Sequence, residues 1–94
     1  MLDITTNKQG DWCVVKPAGR ADAVTAQALE DALHSAASEH SKIAVDLSAL
    51  DYVSSAGLRS LLQGARAAGA NNVEYLVSFE SETVEGVAAW LSRR

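Results

Sequence analysis

Residues 45–62 read VDLSALDYVSSAGLRSLL, and this stretch decides the fold. It begins as an apolar strand, passes through a turn, and continues into a helix that opens with the hydroxyl-bearing Ser54 and Ser55. The amides at a helix N-terminus lack intrahelical partners and carry partial positive charge, so a phosphoryl group placed there is stabilised. From chemistry alone, the two serines are therefore either a helix cap or a phosphoacceptor site.

The sequence around this stretch predicts alternating strands and helices. Residues 42–47 form a short apolar strand of the kind buried on both faces, which implies a parallel neighbour reached through a preceding helix. Apolar residues at helical spacing predict helices from Val24 to about Ala37, from Ser55 to Ala68 and from Glu80 to Leu91. The inward stripe predicted for the second helix consists of Leu58, Leu61, Leu62, Ala65 and Ala68.

Three further segments predict strands. Residues 2–6 and 12–16 flank a polar turn and are expected to pair as a hairpin, while residues 73–77 supply another strand. Pro17 cannot donate to a sheet ladder, so it should mark the end of the second strand or an unpaired edge position. The order of elements predicts one small α/β domain, with a four-stranded mixed β-sheet packed against about three α-helices.

Length and composition exclude several classes of protein. Ninety-four residues make one small domain, and a mean hydropathy of zero disfavours both disorder and a membrane span. A net charge of −4 repels nucleic-acid phosphates and anionic membranes. Because the N-terminus also lacks the pattern of a secretory signal, we expect a cytoplasmic protein with no nucleic-acid partner and no membrane insertion.

The residues that an enzyme would need are scarce, so we expect no catalytic residues, no metal and no cofactor. His34 and His40 are six residues apart, which is not the spacing of helical metal ligands, and Cys13 is the only thiol. The serines do not form a G-x-S-x-G elbow, and the glycines form neither a phosphate loop nor a dinucleotide fingerprint. Asp46 and Asp51 are interpreted as residues that cap or solvate a turn.

The stretch DLSALDYVSSAGLRSLL resembles the signature of the STAS domain and, within that family, of the bacterial anti-sigma-factor antagonists. Upstream, Gly19-Arg20-Ala21-Asp22 before a helix resembles the family's G-x-x-D motif. The order and spacing of the two motifs agree with the family from Leu2 to Val77. The resemblance implies a single STAS domain over residues 1–94.

The resemblance also implies a function in signal transduction and transcription regulation. In that family the unphosphorylated antagonist binds an anti-sigma factor that is also a serine-protein kinase. Phosphorylation of a serine then releases the antagonist, and a serine phosphatase resets it. Alignment on Gly57 places the phosphorylated serine at Ser55, with Ser54 as the alternative. Ser54 stands where many members carry an aspartate and Ala56 stands where they carry a second hydroxyl, so Asp22 and Asp51 become the candidate acidic neighbours.

The partner-binding surface that the resemblance implies lies around the start of the second helix. Arg59, Gln63 and Arg66 adjoin the serines, and they are either partner contacts or an ordinary solvated face. The full set of predicted partner-binding residues is Asp22, Ser54, Ser55, Ala56, Gly57, Arg59, Gln63 and Arg66.

A second function is compatible with the same family. Small cytosolic STAS proteins also occur as subunits that brace the ATPase of lipid-transporting ABC complexes, and these need no phosphorylation. The serine at position 55 and the form YVSSAGLR favour the switch over this alternative.

Overall fold

The computed structural model describes residues 1–78, which form five β-strands and two α-helices. The strands are β1 (Leu2–Gln9), β2 (Trp12–Ala21), β3 (Lys42–Asp46), β4 (Leu50–Val53) and β5 (Glu74–Ser78). The helices are α1 (Ala26–Glu39) and α2 (Ser55–Ala70). The third helix predicted from the sequence, Glu80 to Leu91, lies outside the described residues.

The strands form one mixed sheet in the order β1-β2-β3-β5, with β4 also paired to β2. β1 and β2 are antiparallel, in a register that runs from Leu2 opposite Gly19 to Gln9 opposite Trp12. β3 is parallel to β2 and to β5. The predicted hairpin and the predicted parallel neighbour of the 42–47 strand are therefore both confirmed.

The predicted count of four strands is wrong because β4 was not expected. β3 pairs with β2 only from Cys13 to Val15, which leaves the C-terminal end of β2 without a neighbour on that side. β4 takes this place and pairs with β2 from Gly19 to Ala21. β4 has only four residues, and its two central side chains are exposed, so it is too short to show the alternation that predicts a strand.

Pro17 lies inside β2, which continues to Ala21, so the predicted strand end at this residue is wrong, and Pro17 is instead unpaired on one edge of β2. The amide of Gly19 donates to the carbonyl of Ala49 at 3.2 Å, on the edge of β2 that faces β3 and β4. The backbone nitrogens of alternate residues in a strand point to the same edge, so the nitrogen of Pro17 points to the same edge as that of Gly19. It lies in the gap between the β2–β3 pairing and the β2–β4 pairing. Its missing N–H therefore removes no ladder hydrogen bond.

Both helices pack on one face of the sheet, where the main core forms. Leu29, Leu33 and Ala36 of α1 are buried there, as their spacing predicts. The central strands contribute Cys13, Val15, Ile43 and Val45. On the opposite face, Val14 and Ala44 form a smaller buried cluster with Trp12 packed against it.

The face of α2 that packs inward differs from the prediction. Leu58 and Leu62, predicted to be core residues, are 54% and 51% exposed. The residues of α2 that are buried are Gly57, Ser60, Leu61, Gly64 and Ala68. Four of these five side chains are small, so α2 packs through its small residues and not through its full leucine stripe.

Close packing at Gly64 and Ser60 explains this orientation. A Cβ atom at Gly64 would lie only 2.8 Å from the Cδ1 atom of Leu33 and 2.8 Å from the Tyr75 hydroxyl. The buried Ser60 donates its hydroxyl to the carbonyl of Ala26 at 2.7 Å, which joins α2 to the start of α1. Tyr75 on β5 donates to the carbonyl of Leu61 at 3.0 Å. These contacts fix the small-residue face of α2 against its neighbours, and the other leucines turn outward.

Candidate functional site

One residue, Ser54, separates the end of β4 from the start of α2, and it forms the N-cap of that helix. Ser54 has extended backbone angles, and its amide donates to the carbonyl of Ala21 at 2.8 Å. Its hydroxyl accepts a hydrogen bond from the amide of Gly57 at 3.4 Å, and the residue is half-buried. The interpretation of the serine pair as a helix cap is therefore confirmed for Ser54.

Ser55 is the first residue of α2, and its side chain has a different environment. The residue is exposed, and its hydroxyl makes no hydrogen bond within residues 1–78. The amides of the first helical turn have no intrahelical acceptor and give this end of α2 a partial positive charge. An anionic group on the Ser55 oxygen would lie close to that charge.

Gly57 brings the start of α2 into direct contact with the end of β2. A Cβ atom at this position would lie 2.6 Å from the carbonyl oxygen of Ala21 and 2.9 Å from a methyl group of Val53. Only glycine permits this approach, because such Cβ contacts are sterically excluded. Gly57 therefore sets where the two serines lie on the sheet edge.

Asp22 follows the same end of β2 and organises the turn before α1. Its Oδ1 atom accepts hydrogen bonds from the amides of Val24 at 3.1 Å and Thr25 at 3.2 Å. Desolvation raises the pKa of Asp22, but the Thr25 and Val24 amides, the Thr25 hydroxyl and the Arg20 charge together bring it below its ordinary value. The N-cap residue of α1 is Thr25, so the carboxylate binds amides just before the helix instead of inside its first turn.

Arg20 connects this turn to β4. Its Nε atom lies 3.7 Å from Oδ2 of Asp22, and its guanidinium carbon lies 4.2 Å from the centre of the Tyr52 ring. The side chains of Arg20 and Tyr52 are both substantially exposed. No sequence pattern indicates the contact between Arg20 and Tyr52, because it depends on the unexpected strand β4.

The family of this chain follows from its match to a known protein-family model. The family model described as "Mlab, STAS domain" matches residues 4–89, which is nearly the whole chain. The chain belongs to the STAS family. No curated protein matches its sequence.

Solved structures share the STAS fold at low sequence identity. An anti-sigma factor antagonist from Mycobacterium paratuberculosis is 22% identical with a TM-score of 0.73, and the match covers 99% of this chain and 81% of that one. The antagonist SpoIIAA in its unphosphorylated form is 15% identical with a TM-score of 0.67, covering 94% and 83% of the two chains. A protein called Mglu is 23% identical with a TM-score of 0.69, but the match covers 83% of this chain and only 19% of Mglu. These likenesses show the fold.

In this STAS domain only some of the predicted site residues lie at the start of α2. Ser54 caps the helix and Ser55, Ala56 and Gly57 begin its first turn, and Ala21 connects them to Asp22 through its hydrogen bond with Ser54. Further along the helix, the side chains of Arg59 and Arg66 are exposed and Gln63 is half-buried. Asp51 is exposed on β4 and makes no hydrogen bond to either serine within residues 1–78.

A cleft of about 310 Å³ lies beside the serines, between the N-terminal ends of the two helices. Ala56 and Arg59 line it from α2, and Gln27 and Glu30 line it from α1. Its remaining walls are small residues together with the buried Ser60. Two of the predicted partner-binding residues therefore border a concave surface.

Two exposed residues beside this site were not predicted from the sequence. Leu58 and Leu62 are on the same outer face of α2 as Arg59 and Arg66. The signal that could have found them is the spacing of Gly57, Ser60 and Gly64, which places three small residues on one face of the helix.

The other groups considered in the sequence have structural surroundings. The Oδ1 atom of Asp46 accepts a hydrogen bond from the Ser48 amide at 3.0 Å, which confirms its role in a turn. Cys13 is buried, and that burial raises the pKa of its thiol. Among residues 1–78, no three His, Cys, Asp or Glu side chains are grouped as metal ligands. Neither helix in this part of the chain has the length and hydropathy needed to cross a membrane.

Proposed function

We propose that this STAS protein is an anti-sigma-factor antagonist that switches partners through phosphorylation of Ser55. In its unphosphorylated form it binds an anti-sigma factor that is also a serine-protein kinase, and phosphorylation releases it. The observation that carries the proposal is the exposed hydroxyl of Ser55, which is free of hydrogen bonds within residues 1–78 and lies at the start of α2. The solved structures named as anti-sigma factor antagonists support it through their shared fold.

The geometry favours Ser55 over Ser54 as the acceptor. The Ser54 hydroxyl accepts the Gly57 amide, so a kinase would have to remove a helix cap to reach it. Loss of such a cap costs about 1 kcal/mol of stability. The Ser55 hydroxyl can react without disturbing a hydrogen bond of the described structure, because its side chain has none there.

The chemistry of the switch is a phosphoryl transfer in which the partner supplies the catalytic groups. The Ser55 oxygen bonds to the γ-phosphorus of ATP, ADP leaves, and the hydroxyl proton passes to a base of the kinase. The product carries roughly −1.5 to −2 charges near the positive end of α2, which stabilises it in the free protein. An interface that covers the same point must desolvate that charge, so the partner dissociates. A serine phosphatase restores the hydroxyl, and the cycle takes place in the cytoplasm.

The proposal is tested by incubating the protein with its candidate kinase and ATP and locating the added phosphate by mass spectrometry. We expect one phosphate on Ser55 in the wild type and in Ser54→Ala, and none in Ser55→Ala. In the absence of ATP, Ser55→Ala should bind the kinase as tightly as the wild type does, whereas Ser55→Asp should bind it at least tenfold more weakly. Full labelling of Ser55→Ala would show that the site assignment is wrong.

The same experiment separates the switch from the role of an ABC-complex subunit. A subunit that braces an ATPase would form a stable complex without ATP-dependent labelling, and a Ser55→Ala variant would retain that complex. Such a result would replace the proposed switch with the structural role. Neither role requires this protein to be an enzyme.

A further inference from the structure

One face of α2 carries an exposed stripe that runs away from the phosphoacceptor. At 3.6 residues per turn, positions 55, 58, 59, 62 and 66 fall on the same side of a helix, opposite the buried positions 57, 60, 61, 64 and 68. We call this surface the α2 outer stripe, and it consists of Ser55, Leu58, Arg59, Leu62 and Arg66. All five residues are exposed.

The apolar part of the stripe is a pair of adjacent leucines. Leu58 and Leu62 are 54% and 51% exposed and lie one helical turn apart, so their side chains are neighbours on the surface. Isolated exposed leucines are common on soluble proteins, whereas contiguous apolar surface rimmed by polar residues is typical of interaction sites. Among the described residues, Leu58 and Leu62 are the large hydrophobic side chains of α2 that remain exposed.

The charged part of the stripe is basic in an acidic protein. α2 contains Arg59 and Arg66 and no acidic residue, although the whole chain has a net charge of −4. α1, by contrast, contains Glu30, Asp31 and Glu39. Neither arginine of α2 forms an ion pair within residues 1–78. The stripe is therefore complementary to a surface that has apolar side chains bordered by carboxylates.

We propose that the α2 outer stripe binds an acidic amphipathic helix of the partner protein. Apolar side chains of that helix cover Leu58 and Leu62, and its carboxylates pair with Arg59 and Arg66. This inference rests on the proposed function and explains the direction of its switch. Phosphorylation of Ser55 adds negative charge at one end of the stripe, which repels an acidic partner but would attract a basic one.

The test uses two synthetic helical peptides with the same leucine face, one bordered by glutamates and one by lysines. Each peptide is titrated into the ¹⁵N-labelled full chain while amide signals are followed by NMR. We expect the glutamate peptide to shift the signals of residues 55–66 and the lysine peptide to leave them unchanged. Leu58→Ser and Leu62→Ser should each weaken glutamate-peptide binding about tenfold, the loss expected when a leucine no longer becomes buried.

Charge variants make the test specific. Arg66→Glu should weaken binding of the glutamate peptide, while Lys8→Glu, which makes the same charge change on the exposed part of β1, should not. Ser55→Asp should also weaken it, and 0.5 M salt should reduce the effect of both stripe variants. Circular dichroism checks that the variants are folded, which we expect because the changed side chains are exposed.

Four results would overturn the inference: no binding of the glutamate peptide, equal binding of both peptides, preferential binding to phosphatidylglycerol vesicles, or self-association of the chain that the leucine variants abolish. Each of them leaves the phosphorylation of Ser55 untouched, so the proposed function is judged separately by the kinase assay. If the glutamate peptide binds as expected but the kinase does not label Ser55, the proposed switch fails and the docking surface stands.

Discussion

At the scale of single residues, Gly64 and Gly69 form a matched pair on α2. A Cβ atom at Gly64 would be forced against Leu33 and Tyr75, whereas one at Gly69 would meet no atom within 4 Å. We expect Gly64→Ala to lower the free energy of unfolding by about 1–3 kcal/mol, because overpacking a close helix contact displaces its neighbours. Gly69→Ala should raise it by at most about 1 kcal/mol, because alanine loses less backbone entropy in a helix. Urea unfolding of both variants measures the difference.

The two variants test the packing that turns Leu58 and Leu62 outward. If Gly64→Ala were as stable as Gly69→Ala, α2 would not be packed through its small residues, and the exposed stripe described above would lose its structural basis. Both substitutions add the same methyl group to the same helix, so intrinsic helix propensity does not explain a difference between them.

Residue-scale chemistry also separates the two serines. The sequence places both at a helix start and leaves the choice between a cap and a phosphoacceptor open. The structure adds the boundary of α2, which makes Ser54 the cap and leaves Ser55 with an exposed hydroxyl. Sequence patterns do not fix a helix start to within one residue, because Ser54 and Ser55 are the same residue type and either could serve as the N-cap.

At the scale of elements, the sequence predicted which segments form helices and strands better than which faces they bury. The hairpin and the inward face of α1 agree with the structure because each has a clear apolar periodicity, and β3 agrees because it is a short apolar run. α2 differs because its leucines compete with a face of small residues. Apolar periodicity favours the leucines, but close approach to Leu33 and Ala26 requires the face that contains Gly64 and Ser60.

The contact between the helices gives a prediction at this scale. Ser60 is buried and donates its hydroxyl to the carbonyl of Ala26 across the helix pair at 2.7 Å. Ser60→Ala should lower the free energy of unfolding by about 1 kcal/mol, since a buried hydrogen bond between α1 and α2 is lost. Ser38→Ala is the control, because its exposed hydroxyl bonds only to Ser35 within α1. Equal stability of the two variants in urea unfolding would contradict this role of Ser60.

At the scale of the whole molecule, Tyr75 links the sheet to α2 and makes the stability of the fold decrease at high pH. Burial raises the pKa of Tyr75 to about 12, and its hydroxyl donates to Leu61. Between pH 10 and about 12 the unfolded chain loses this proton while the folded chain keeps it, so stability falls as the pH rises. Tyr75→Phe should be about 1 kcal/mol less stable at pH 7, where it lacks the hydrogen bond.

The difference in the free energy of unfolding between the wild type and Tyr75→Phe should shrink as the pH rises from 10 to 12. Only the wild type has an ionisable group at this position, and its ionisation favours the unfolded state. Urea unfolding at several pH values measures that difference, and all other titrating groups are common to the two proteins. A difference that stayed constant up to pH 12 would mean that Tyr75 titrates as it does in an unfolded chain.

The gap in hydrogen bonding at Pro17 separates two parts of the sheet that the strand order does not distinguish. On one side, β2 is bonded to β3 up to Val15 and to β4 only from Gly19 onward, with no ladder contact between them. The end of β2 that supports the start of α2 can therefore separate from β4 without breaking the β2–β3 ladder. In terms of amide hydrogen exchange, we expect the β2–β4 pairing beside the serines to exchange sooner than the β2–β3 ladder. Exchange of the β2–β4 amides would therefore report on events near the exposed Ser55 separately from the core of the domain.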